Sequence, residues 1–168
     1  MDAEELRRAQ APLKERYRAE PSAAEVTLHA EGSLDGSGVS CSVQTGRALV
    51  EAGLHPASGG DGTLACSGDM LLQALVACAG VTLRAVATNR GLAVTGTVRA
   101  EGDLDFRGTL GVDRQAAVGF TSVRLVFELE SDAPAEDLDA LIATTERYCV
   151  VFQTLAHPPQ LSVTRHPS

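Results

Sequence analysis

Stretches of alternating and of helical hydrophobic period follow one another along this chain, and each switch marks an element. From Ala3 to Glu20 the residues are mostly Glu, Arg, Ala and Leu, which favour helix. Pro12 demands a kink or a break between two short helices. The segment is largely polar, which suits a surface or dimer-clasping arm. Two alternating runs follow. Val26, Leu28 and Ala30 oppose Thr27, His29 and Glu31, and Val39, Cys41 and Val43 oppose Ser40, Ser42 and Gln44. The Asp35-Gly36-Ser37-Gly38 stretch between them predicts a hairpin turn. A short strand is expected from about Arg47 to Val50, and the glycine-rich stretch after His55 reads as a loop.

Ser67 is placed to cap the helix that follows, with Asp69 in its first turn, where the helix dipole favours negative charge. That helix should run to about Arg90 and stop at Gly91. Between Met70 and Ala87 only Gln73, Thr82 and Arg84 are strongly polar, so a helix apolar nearly all round is expected to be buried. Alternation returns over Leu92–Glu101 and Phe120–Glu130, two strands of a partly solvated antiparallel sheet. The connection between them should be ordered by Phe106 and Leu110. Asp132 and Pro134 open an amphipathic helix with the stripe Leu138, Leu141, Ile142 and Thr145, ending near Tyr148. Cys149 then leads a short apolar turn, the prolines after His157 break the chain, and Leu161–Arg165 is expected to be a last strand. The fold class is α+β, organised as a helical N-terminal arm over residues 1–22 and a single domain over 23–168.

Composition narrows the function. A chain of 168 residues, 44% hydrophobic, suits one core. Aromatic residues are only 4%, so aliphatic residues and alanine must build it. The net charge of −8 argues against nucleic acid as a partner. No uninterrupted apolar run approaches the roughly 20 residues of a membrane span, and the amino end is charged where a signal peptide is apolar, so a cytoplasmic protein is expected. Cysteines 41, 66, 78 and 149 form no zinc-like spacing. In a reducing cytosol, pairing among them points to redox chemistry rather than a structural framework. Cys41 alternates with valines and reads as core. Cys78 is either an inert apolar residue or a nucleophile shielded from water. Cys66, at the mouth of the long helix, is a candidate accessory thiol. The four histidines are scattered and suggest no metal site, and no cofactor is expected.

Four stretches in combination carry a resemblance: the Gly59–Gly62 turn, the buried segment Leu71–Cys78, the strand running from Ser122 into Ala133, and the helix ending Glu146-Arg147-Tyr148-Cys149. Over roughly Val26 to Arg165 the chain resembles the OsmC/Ohr family of thiol peroxidases. The resemblance implies an intertwined homodimer of two curved antiparallel sheets around buried central helices, with active sites at the interface. It implies that Cys78 attacks an organic hydroperoxide and Cys149 resolves the product, with recycling by a dithiol reductant such as a lipoylated protein or thioredoxin. Arg47 resembles the arginine that holds the thiolate in that family. The acid that family members place just before the helix matches Gly68 best. Asp69, next to it with a shorter arm, is the candidate, and it serves only if the helix begins irregularly. Val150 stands where the family has proline. A non-catalytic reading, in which the same apolar pocket binds a small ligand or the thiol acts as a redox sensor, fits the same fold.

Overall fold

The computed structural model describes residues 2–20, 32–33, 40–44 and 49–166. Helix α1 spans Ala3–Ala19 and carries Pro12 inside it, so the arm is one continuous helix rather than two. It lies against the chain's own long helix: Arg7 Nη2 donates to the Asn89 carbonyl at 3.0 Å and Arg7 Nε to Asn89 Oδ1 at 3.3 Å. Strands β1 (Gly32–Ser33), β2 (Ser40–Gln44), β3 (Leu49–Gly53) and β4 (Ala65–Cys66) form one sheet in that order. β1–β2 and β2–β3 are antiparallel, with Val43 opposite Val50 and Cys41 opposite Ala52, whereas β4 joins β3 in parallel. The first arm of the expected hairpin, its turn and Arg47 lie outside the described residues.

Helix α2 spans Ser67–Arg90. Its cap position is taken by Cys66, without a side-chain cap bond, and Ser67 is already helical, so the expected serine cap does not form. Asp69 sits in the first turn as anticipated, and Gly91 ends the helix in the left-handed conformation at φ 70°. Leu92 N–H bonds the Ala87 carbonyl at 2.9 Å, continuing the terminating turn. This is why β5 begins at Thr95 rather than at Leu92; it runs to Leu104.

β5 and β6 (Phe120–Glu130) form a second, two-stranded antiparallel sheet. At Gly96, φ is +120° and an added Cβ would stand 2.0 Å from the Glu128 carbonyl oxygen, so the ribbon closes only with glycine there. A register slip at Asp103/Leu104 leaves Thr121 unpaired, and the Phe120 ring lies over Gly102, where a Cβ would stand 2.5 Å from Cε1. The outer face carries a charge ladder, Arg99 to Glu128 at 2.6 Å and Arg124 to Glu101 at 3.2 Å, with Arg124 and Ser122 also bonding Asp103. The Arg124 guanidinium and Ser122 hydroxyl hold the Asp103 carboxyl below the usual range. Exposed pairs of this kind contribute little to stability. Between the strands, α3 (Phe106–Thr109) is anchored by Phe106 stacked on His55 at 5.0 Å, while Leu110 is exposed and contributes its backbone N–H to the Phe106 carbonyl at 2.9 Å.

Helix α4 (Ala135–Tyr148) buries Leu141 and Thr145, and α5 (Val150–Ala156) is a true helix where a turn was expected. Thr145 is buried because its hydroxyl donates to the Leu141 carbonyl at 2.9 Å. Leu161–Arg165 forms no strand: residues 157–166 are exposed, Val163 fully so, and pair with no strand among the described residues.

The core has two parts along one face of α2. Leu83 and Ala87 meet Val94 and Leu141, and Leu75 and Ala79 meet Cys149. These four α2 residues recur every four positions, a single stripe. The expectation of a helix buried all round is therefore not met within one chain, where Val81 is 71% exposed. By length and composition α2 is also apolar enough to cross a membrane. Its packed stripe, and Arg84 donating to the Val94 carbonyl at 2.9 Å, are features of a core helix.

Candidate functional site

Cys78 lies at the middle of α2, on the flank of its buried stripe, and is half-buried; Cys149, the one extended residue between α4 and α5, is fully buried. They come together because α4 brings its carboxyl end across α2, and the chain must leave the helical conformation at Cys149 (φ −73°, ψ 107°) to start α5 in a new direction. Val98, Ala100, Val123, Leu125 and Phe127 close over the pair from the sheet. Cys78 packs against Cys149 in one apolar cluster, close enough for each thiol to influence the proton of the other.

The surroundings divide the proton unequally. The first amides of a helix have no carbonyl within it to bond. In α5 the first closed turn is Gln153 N–H to the Cys149 carbonyl at 2.9 Å, which leaves Val150, Val151 and Phe152 with free donors. Burial pushes the Cys78 thiol up. Against it act the Val151 amide, the Cys149 thiol, the Val150 amide and, least, the Thr82 hydroxyl, and together they hold Cys78 below the ordinary thiol range. Burial pushes Cys149 up too. The Phe152 and Val151 amides only partly offset this, and its place beside the negative Cys78 sulfur raises it further. As pH rises, Cys78 therefore loses its proton first, and Cys149 keeps its own and donates it to the thiolate.

Of the residues singled out in the sequence, this geometry joins Cys78 and Cys149. Arg47 lies outside the described residues. Asp69 is exposed on a regular helix that begins at Ser67. Nine residues before Cys78, it sits about 13.5 Å away along the axis and half a turn round, so within one chain it does not reach the thiol. The irregular start it needed is absent. Cys66 is twelve residues from Cys78, about 18 Å along the same axis, too far to capture it within one chain. Its sulfur, the Phe120 ring and Leu104 all lie around Gly68 instead. The Cys41 backbone pairs in β2, and its side chain lies outside the described residues.

Sequence reasoning sought a cation to offset burial and missed the donors present: two peptide N–H groups and Thr82. The signal was there in part, since a helix starting directly after Cys149 aims its free amides at whatever lies at that end. The apolar neighbours of Cys78 also separate. Leu71 and Leu75 line a cleft of about 580 Å³ with Phe120, Val123, Phe152 and Leu155. Val81 and Ala85 face a different groove, about 620 Å³, between α1, α2 and α4, together with Thr82, Lys14 and Tyr148.

Comparison with known proteins bears on the fold. A search of the curated proteins gives no match. The solved structure of an OsmC-like protein from Mycoplasma pneumoniae superposes with a TM-score of 0.66 at 16% identity, covering 80% of this chain and 90% of that one. An OsmC-like protein of unknown function from Vibrio cholerae gives 0.61 at 13% identity, covering 77% and 94%. A hypothetical protein from Aquifex aeolicus gives 0.60 at 13%, covering 80% and 90%. At such identities these likenesses speak for the fold alone. The sequence model described as OsmC-like protein matches residues 60–164, from the turn before α2 through the whole cysteine pair and beyond. With most of the chain under that model and the same α+β fold, the protein belongs to the OsmC-like family.

Proposed function

We propose that this chain is a thiol-dependent peroxidase that reduces organic hydroperoxides through Cys78 and Cys149. The observation that carries the reading is the packing of two free cysteines together in the core, with opposed proton affinities, Cys78 below and Cys149 above the ordinary range. The OsmC-like family includes hydroperoxide-reducing enzymes, which agrees with it. In the first step the Cys78 thiolate attacks the terminal oxygen of the hydroperoxide. An S–O bond forms, the O–O bond breaks, sulfur is oxidised to sulfenic acid, and the alkoxide takes a proton to leave as the alcohol. In the second step the Cys149 sulfur, its proton released, attacks the sulfenic sulfur. The S–S bond forms, the S–O bond breaks, and the hydroxide leaves as water. A cytosolic dithiol, lipoylated protein or thioredoxin, then exchanges with the disulfide and is itself oxidised. Arg47 remains the candidate cation for the peroxide oxygens.

The apolar cleft beside Leu75 and Phe152 suits a greasy substituent on the peroxide. Reduced protein mixed with cumene hydroperoxide in a stopped-flow instrument is expected to oxidise faster than with hydrogen peroxide. Equal or reversed rates remove the organic specificity. If Cys78 stays reduced while peroxide remains, the cleft belongs to a ligand-binding protein without this chemistry.

The exposed face of α2 supports a second element of the proposal, a homodimer in which a second copy covers it. Leu71, Ala74, Ala77 and Val81 are exposed there, an apolar strip that one chain leaves in water. Sedimentation at micromolar concentration is expected to give twice the chain mass; a folded monomer would overturn the dimer.

A further inference from the structure

The groove of about 620 Å³ between α1, α2 and α4 differs in chemistry from the cleft beside Leu75. Val81, Ala85 and Val86 give it an apolar floor, while Lys14 from α1 and Arg90 from the last turn of α2 stand on its rim. No carboxylate lines it, in a chain whose net charge is −8. The Arg90 head is held in position: Nη2 donates to Thr144 Oγ1 at 2.7 Å, and that hydroxyl gives its own proton to the Ala140 carbonyl at 2.7 Å. A guanidinium has five N–H donors, so four are left to face the groove and solvent. Among the described residues, neither Arg90 nor Lys14 is paired with a carboxylate. Asn89, on the same rim, has its Oδ1 and its carbonyl engaged by Arg7 at 3.3 and 3.0 Å, which leaves its side-chain amide as a donor. Arg147 lies 5.7 Å from the centre of the Tyr148 ring that forms part of the wall, and adds a third positive charge.

We propose that this groove binds an amphiphilic carboxylate, a free organic acid with an apolar chain. Its volume falls within the roughly 300–1,000 Å³ of small-molecule sites. A bare anion would leave the apolar floor in water, and a neutral alkyl compound would leave two cations without a counter-charge. A carboxylate with a chain answers both: the head meets the planar fork of Arg90 and the point charge of Lys14, and the chain lies on Val81, Ala85 and Val86. Val81 also ends the apolar strip proposed for the dimer, so the groove opens at the edge of that strip and one acid per chain is expected. Neither Cys78 nor Cys149 lines the groove, and the site does not depend on the peroxidase reading.

The test is titration of the full-length reduced protein with decanoate below its micelle concentration, by calorimetry and by NMR of the assigned side-chain amides. One decanoate should bind per chain, and the Gln10 and Asn89 side-chain amides at the groove should shift while Gln115, on the loop before β6, stays in place. Decanol and acetate, which carry the chain and the head separately, should each bind at least about tenfold more weakly. Lys14→Gln and Arg90→Gln should each weaken decanoate about tenfold, the size of one hydrogen bond to a charged group. Lys14→Arg, which keeps the charge, should keep the affinity. Lys14 is exposed, so its variants decide the matter if the Arg90 variant fails to fold. Decanol binding as tightly as decanoate overturns the role of the cations, and acetate binding as tightly overturns that of the floor. Binding that survives the Lys14→Gln and Arg90→Gln changes, or that leaves the Gln10 and Asn89 amides unmoved, puts the acid elsewhere, as in the Leu75–Phe152 cleft, and overturns the site, as does no binding at all.

Discussion

Cys78→Ser is expected to consume no organic hydroperoxide at all, because the atom that attacks the O–O bond is gone and burial keeps the neighbouring Cys149 thiol protonated. Wild-type protein given one equivalent should yield a Cys78–Cys149 disulfide by peptide mapping, since the two cysteines are packed in one buried cluster before any reaction. The two Cys149 substitutions should differ. Cys149→Ser retains a donor to the Cys78 thiolate, so it should react with one equivalent and then stall, with Cys78 left as sulfenic acid or oxidised further. Cys149→Ala removes a donor as well as the resolving thiol, so its first step should itself be slower below the ordinary thiol range, on the order of tenfold. A disulfide mapped to Cys66 would reassign the resolving thiol, and a Cys78→Ser protein that turns over would end the scheme.

The largest effect on stability is expected at Leu141→Ala. Leu141 is completely buried against Leu83, Ala87 and Val94, where α4 crosses α2. Truncating such a leucine leaves a cavity that neighbours fixed on α2 and just before β5 cannot fill, at a cost of about 2–5 kcal/mol. Against a total stability of roughly 5–15 kcal/mol this is severe, and it should lower the melting temperature by on the order of 10 °C. The same helix crossing delivers Cys149 to Cys78, so disulfide formation with peroxide should become less complete in the folded fraction. A melt within a degree or two of wild type would show that the crossing is not where the fold is held.

Local patterns in the sequence were read correctly where the physics is local. β6 runs from Phe120 to Glu130 as its alternation implies, Gly91 stops α2, and Leu141 and Thr145 form the buried stripe of α4. Readings failed where the outcome depends on what lies opposite. Leu161–Arg165 alternates like a strand, but alternation supplies no edge to bond. α2 is apolar all round, but apolarity does not say how much of it one chain can cover. Pro12 lies within α1 without dividing it, and Cys66 rather than Ser67 occupies the cap of α2. At the site, the two cysteines were legible as types at particular architectural places. The α5 amides were not, because their role follows from the direction in which the chain turns at Cys149. Asp69 was legible as a helix-start acid and is that; the regular geometry of α2 carries it away from the thiol.

The Phe120 ring lying over Gly102 ties two positions together in descent. Residue 102 has no space for a methyl group while position 120 carries an aromatic ring, and a chain that lost the ring would leave bare backbone exposed at the bulge. The order of change is therefore constrained: shrinking Phe120 first opens a path by which residue 102 can vary, and the reverse order passes through a clash. Across the lineage of this protein the two positions should drift as a unit, although they stand on different strands and neither touches the thiols.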